Sequence, residues 1–210
     1  MEVRRVGALI GFQPMEPDHS IGMLFFPGAL VDPIAYAPLA RAVAEAGFLA
    51  YILPLPRRGA FGGADDPSLF ARADSLLGSQ VVRRGWVVAG HSRGGVVAST
   101  IAHGQPERLK GLLLIGTSHP RDVDLSELSV PVAKIAGTRD GLASRGKVEA
   151  NAHLLPETTA WTWIEGGNHS QFGWYGFQPG DRGATLPRQE QQAEVIRTTV
   201  RFLRRVAAGT

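Results

Sequence analysis

No cysteine occurs in this chain, which excludes disulfides, thiolate nucleophiles and cysteine-ligated zinc while leaving the redox compartment open. Long apolar runs are missing too. None approaches the length that spans a bilayer, so no membrane partner is expected and the expected location is cytoplasmic. The stretch Met1–Ile10 puts basic residues before apolar ones, but the apolar part is short and Gln13 to Pro17 follows in place of a small-residue cleavage site. It reads as a first strand. Aromatics make up only 8%, and no basic run is interleaved with them, so a net charge of +3 and a pI near 9.7 do not indicate a nucleic-acid partner. Repeats, linkers and low-complexity tracts are also absent from the sequence. What remains, 44% hydrophobic and 20% charged residues over 210 positions, suits one globular domain covering residues 1–210. Nothing in it sets an oligomeric state.

Apolar strand-like runs recur at Ile21–Phe26, Leu49–Leu53, Trp86–Ala89, Leu109–Ile115, Val132–Ala136 and Thr159–Ile164, with helical patterns between them. That alternation predicts an α/β fold with a mostly parallel central sheet covered by helices on both faces. Asp32-Pro33 supplies an N-cap acid and a first-turn proline for a helix that runs through Ala35–Ala46 and ends at Gly47. Further helices are expected over 66–77, 145–153 and Arg188–Val206.

The most informative run is Val87–Gly95, V-V-A-G-H-S-R-G-G. A β-rich segment stops at Ser92, glycines stand two positions to either side at Gly90 and Gly94, and Gly95–His103 reads as a helix packed on a sheet. A bare G-x-S-x-G pattern is common, but strand–turn–helix context marks a nucleophile elbow, in which a strained serine exposes its hydroxyl. The same turn aims the Arg93 backbone N–H at whatever is bonded to that serine, where it can stabilise an oxyanion.

A serine hydroxyl needs a general base, and histidine has the pKa for it. In open α/β sheets ligands bind beyond the carboxyl ends of strands, so the working residues should follow strands directly. His169 does so, in I-E-G-G-N-H-S, whereas His19, His103 and His153 lie in a turn or on helices, and His91 should point away from the serine. His119 also follows a strand and competes with it. Asp140, in A-G-T-R-D-G, follows the strand between them and would hold the imidazole tautomer; Asp122 and Asp124, one strand earlier, are the alternatives. Glu165 is nearer His169 in sequence but is expected to face elsewhere. The order Ser92, Asp140, His169 is the one this kind of elbow enzyme uses.

A second oxyanion donor should come from the loop after the strand that ends at Phe26; Ala29 N–H is the first choice and Gly28 N–H the next. Phe172, Trp174, Tyr175 and Phe177 follow His169 without helical or strand period, so they are either core or the wall of a substrate pocket. Of these, Phe172, Trp174 and Tyr175 are the candidate substrate-binding residues.

Taken together, the elbow, the residue order and the alternation resemble the α/β-hydrolase superfamily over nearly the whole chain. The blocks Phe25–Ala40, Ala136–Ala143 and Ile164–Gly176 further resemble a small branch related to dienelactone hydrolases and small carboxylesterases. The resemblance implies Ser92 as nucleophile, Asp140 as acid, His169 as base, and the Ala29 and Arg93 amides as the oxyanion hole. Two departures stand out. The stretch between Ile115 and Val132, where a cap is commonly inserted, is short and holds no helix pair, so no cap domain and an open site are expected. Arg93 occupies a position often filled by leucine, methionine or glutamine, and either brings a cation to the site, favouring an acidic acyl group, or points to solvent or pairs with a carboxylate.

The resulting expectation is a serine hydrolase of carboxylesterase type that cleaves small esters through an acyl-enzyme, with no metal and no organic cofactor required. Thioesterase or lactonase activity could run on the same residues with a different pocket. A non-catalytic binding protein on the same fold is the alternative from another class.

Overall fold

The computed structural model describes residues 1–16, 21–79 and 81–209; His19 lies outside them. The strands β1 (Glu2–Val6), β2 (Leu9–Gln13), β3 (Gly22–Phe26), β4 (Leu49–Ile52), β5 (Trp86–His91), β6 (Leu109–Ile115), β7 (Val132–Gly137) and β8 (Ala160–Ile164) form one sheet in the order β1-β2-β4-β3-β5-β6-β7-β8. From β4 to β8 all neighbours are parallel, while β2 pairs antiparallel with β1 and with β4. Helices α1 (Ala37–Glu45), α2 (Pro67–Leu77), α3 (Arg93–Gly104), α4 (Arg145–Ala150) and α5 (Arg188–Ala208) make the crossovers and close the chain.

Strand alternation divides the core in two. Met23 and Phe25 of β3, with Val87 and Ala89 of β5, pack against α1 and α5. Leu24 and Phe26, with Trp86 and Val88, face α2 and α3. Both faces are therefore apolar, and β3, β5 and β7 read as unbroken buried runs, as strands covered on both sides must.

The N-terminal segment departs from the expected single strand. Met1–Ile10 folds back at Gly7, which takes φ +59°, and Val6 pairs with Leu9 across a two-residue turn. Glycine at that position is what such a hairpin turn requires, and β1 is exposed along its length, so no burial pattern marks it as a separate strand. The expected helix over 145–153 is also shorter: α4 stops at Ala150 and a 3₁₀ turn, Ala152–Leu154, follows. At Asp32-Pro33 the side chain of Asp32 accepts the Ile34 N–H at 3.1 Å, but the first turn, Pro33–Tyr36, is 3₁₀ before α1 begins.

The connection 116–131 between β6 and β7 contains no helix, so no cap is inserted there. No helix of the described residues is long and apolar enough to cross a membrane.

Candidate active site

The carboxyl ends of β3, β5, β6, β7 and β8 surround one cavity of about 270 Å³, which Ser92 and His169 share. Ser92 sits between β5 and α3 with φ 52° and ψ −116°, a conformation that costs a non-glycine residue of order 1–3 kcal/mol. Its N–H donates to Ile115 O at 3.0 Å and its carbonyl accepts Gly95 N–H at 2.9 Å, which holds the turn against that strain. The flanking glycines are steric necessities. A Cβ on Gly90 would stand 2.1 Å from Gly94 O, and one on Gly94 would stand 2.0 Å from Phe26 O.

His169 follows β8, and its Nδ1 lies 2.8 Å from Asp140 Oδ2, with both side chains buried. The other oxygen of Asp140 accepts the Leu142 and Ala143 N–H groups at 2.8 and 2.6 Å, so the carboxylate is aimed by its own turn. His169 Nε2 is buried without a partner. The structure thus brings Asp140 to His169, and neither Asp122 nor Asp124: both are exposed, and Asp124 caps Ser126 N–H at 2.9 Å. Glu165 is exposed and lies off the cavity.

Ala29 and Arg93 both line the cavity. As the first residue of α3, Arg93 has a backbone N–H without an intrahelical acceptor. Gly28 N–H is occupied, donating to Tyr36 Oη at 3.0 Å, which leaves Ala29 as the open amide of that loop. His119 also lines the cavity. Burial, reinforced by the Arg121 guanidinium, holds its pKa at about 4, and its Nε2 accepts from Arg121 Nη2 at 2.8 Å. Its ring is a neutral acceptor, committed elsewhere than at Ser92.

The aromatic segment after His169 does not line the cavity. Phe172 is core, packed 5.5 Å from the His91 ring; Tyr175 donates its hydroxyl to His169 O at 3.3 Å; Trp174 and Phe177 are exposed. An aperiodic aromatic run after a strand fits core and pocket wall equally well, and here only Phe172 and Tyr175 pack, behind the histidine.

His91, expected to point away from the serine, and Asp181 and Gln191, which sequence reasoning did not single out, also shape the site. His91 does leave the cavity, but its ring packs 4.6 Å from that of His169. Burial, and then the neighbouring His169, holds His91 well below the ordinary histidine pKa. Asp181 ties two loops together: Oδ1 accepts Gly141 N–H at 3.0 Å and His169 N–H at 3.2 Å, and Oδ2 accepts Ser170 N–H at 2.8 Å and Ser170 Oγ–H at 2.7 Å. Partial burial raises its pKa, yet these bonds outweigh it and hold the carboxyl below its usual range. Gln191 of α5, fully buried, accepts Asn168 N–H at 3.0 Å and donates to Asn168 O at 2.7 Å. The only local signal was the Gly180-Asp181 turn, which does not say what it binds. Among the described residues no group of three or more His, Cys, Asp or Glu is placed to hold a metal ion.

The architecture matches known structures at low identity. A thermophilic esterase from Thermogutta terrifontis, with malate bound, is 17% identical with a TM-score of 0.63, covering 95% of this chain and 93% of that one. Est1E from Butyrivibrio proteoclasticus is 12% identical with a TM-score of 0.70, covering 99% and 98%. TT1662 from Thermus thermophilus is 20% identical with a TM-score of 0.66, covering 99% of each. None of the curated proteins matches the sequence. The family described as "Alpha/beta hydrolase family" matches residues 22–193, most of the chain and every element around the cavity. This chain belongs to the alpha/beta hydrolase family.

Proposed function

We propose that the protein hydrolyses small carboxylic esters by acyl transfer through Ser92. The observation that carries this reading is the buried Asp140–His169 pair at 2.8 Å, whose Nε2 has no partner, on a histidine that lines the same cavity as the strained Ser92. Asp140 keeps the proton on Nδ1, which leaves Nε2 as the acceptor. His169 takes the Ser92 proton as Oγ attacks the ester carbonyl, and the carbonyl oxygen becomes an oxyanion within reach of the Ala29 and Arg93 amides. Collapse expels the alcohol, which receives the proton from His169. Water then attacks the acyl-enzyme by the same route, releasing the acid and restoring Ser92. No step needs a metal or an organic cofactor.

Labelling by a fluorophosphonate, read by intact mass, tests the reading together with turnover of p-nitrophenyl acetate. Wild type should gain one adduct, and Ser92→Ala should gain none and lose turnover by several orders of magnitude while keeping its circular dichroism. A folded Ser92→Ala protein that still hydrolyses the ester would overturn the assignment.

A further inference from the structure

The charge on the cavity wall is one-sided. Arg93, Arg121 and Lys147 line it, and no aspartate or glutamate does. Elsewhere on the surface arginine is commonly neutralised: Arg57 pairs with Asp66, Arg58 with Asp32, Arg108 with Asp74 and Arg145 with Glu149. Among the described residues none of the three cavity cations has a carboxylate within ion-pair distance. Asp122 lies close enough to His119 to act on its charge, but it is off the cavity wall.

Arg121 is also held in place. Its Nε and Nη2 donate to His119 Nε2 at 3.2 and 2.8 Å, an arrangement that requires an unprotonated imidazole, and burial keeps it so through the neutral range. The segment carrying His119 is anchored in turn, since His119 N–H donates to Thr117 Oγ1 at 3.2 Å and His119 O accepts from the buried Lys134 Nζ at 2.5 Å. A guanidinium has five N–H donors and this contact uses two, so the edge formed by Nη1 and the second Nη2 hydrogen stays open. That edge is a fork matched to a carboxylate. Lys147 spends one hydrogen on Leu142 O at 3.2 Å and keeps two.

We infer that the preferred substrates are esters carrying a free carboxylate a short chain away from the scissile carbonyl, received by Arg121 and Lys147 with Arg93 adding to the field. The inference rests on the ester-hydrolase reading for turnover, but the anion subsite itself can be tested apart from it.

Two matched pairs of esters decide the matter by pH-stat. Monomethyl glutarate against methyl glutaramate places the charge on the acyl side, and 3-acetoxypropanoate against 3-acetoxypropanamide places it on the alcohol side. In at least one pair the anion should be favoured in kcat/KM by roughly tenfold or more, the factor that about 1.4 kcal/mol represents. The ratio should narrow in Arg121→Gln, in Lys147→Gln and at high salt. Calorimetry on Ser92→Ala, which does not depend on turnover, should show monomethyl glutarate or 3-acetoxypropanoate binding more tightly than its amide, with the difference lost when Arg121→Gln is added. If Ser92→Ala binds neither anion better than its amide, the inference falls while ester hydrolysis can stand. If the anion binds but wild type cleaves none of the esters, the hydrolase reading falls and the subsite stands.

Discussion

The Tyr36 hydroxyl lies 2.7 Å from His91 Nδ1, and because it already accepts the Gly28 N–H it has its proton to give to that ring. One buried side chain thus joins the loop that carries Ala29 to the strand end that precedes Ser92. Burial raises the Tyr36 pKa well above its ordinary value, so the phenol stays neutral and keeps this donor role.

Tyr36→Phe removes both bonds and leaves a buried N–H and a buried imidazole nitrogen without partners. The expected cost is about 1–3 kcal/mol of unfolding free energy, read by urea denaturation. Turnover of p-nitrophenyl acetate should fall as well, since the Ala29 amide loses its neighbour's anchor. Unchanged stability and turnover would mean that water replaces the hydroxyl without loss.

Asp140→Asn keeps the shape of the turn but loses the charge that fixes the His169 tautomer. On the proposed mechanism a fall of about 10⁴-fold in kcat is expected, the loss that follows when the acid of a Ser-His-Asp triad becomes its amide. Asp124→Asn should leave kcat within a small factor, because Asp124 is exposed, caps the Ser126 N–H and lies off the cavity. The two variants are compared by steady-state kinetics on one ester.

Asp181→Asn cannot accept on both oxygens, so it loosens the Gly141 turn and the His169 loop together. Activity should fall with little change in the pH profile, which separates a positioning role from a proton-transfer role. The folded-state pKa of Asp181 is lowered from 3.8. Its contribution to stability is therefore complete above that value and is lost as pH falls through the lower folded pKa. Acid denaturation of wild type should be steeper than that of Asp181→Asn in this range.

Lys134 is fully buried on β7, and burial lowers its pKa from 10.5 to about 7. Between those values the unfolded chain holds a proton that the folded chain lacks, so unfolding free energy should rise with pH across the window. Lys134→Met removes that slope. Urea titrations at about pH 7 and about pH 9 check it, with a rising midpoint in wild type and a flatter one in the variant.

Acyl-chain length should matter over a narrow range. The apolar part of the cavity is only Ala29, Val96, Leu142 and Ala143, and no helix overhangs it from the 116–131 connection. Each buried methylene contributes about 0.8 kcal/mol, but only while wall remains to cover. Across p-nitrophenyl esters kcat/KM should peak between acetate and butyrate, and no jump should appear above the critical micelle concentration. A rise continuing to palmitate would reveal an acyl surface outside this cavity.

Much of this arrangement was legible in one dimension because local chemistry enforces it. Only glycine fits at Gly90 and Gly94 beside Gly94 O and Phe26 O, so the elbow must be spelled in the sequence, and buried parallel strands must be apolar runs. Strand ends followed by Asp140 and His169 then place both at one edge of the sheet. The β1–β2 hairpin escaped because an exposed strand carries no burial signal. What tertiary structure alone decided are contacts between segments far apart in the chain. Asp181 reaches Gly141 across 40 positions, Tyr36 reaches His91 across 55, and Arg121 and Lys147 join Arg93 in lining one cavity. A carboxylate, a phenol or a guanidinium looks alike in any exposed loop. Its partner is chosen by how the crossovers stack on the sheet, and that choice gave Phe172 to the core, left Trp174 and Phe177 exposed, and gave the cavity to the cations.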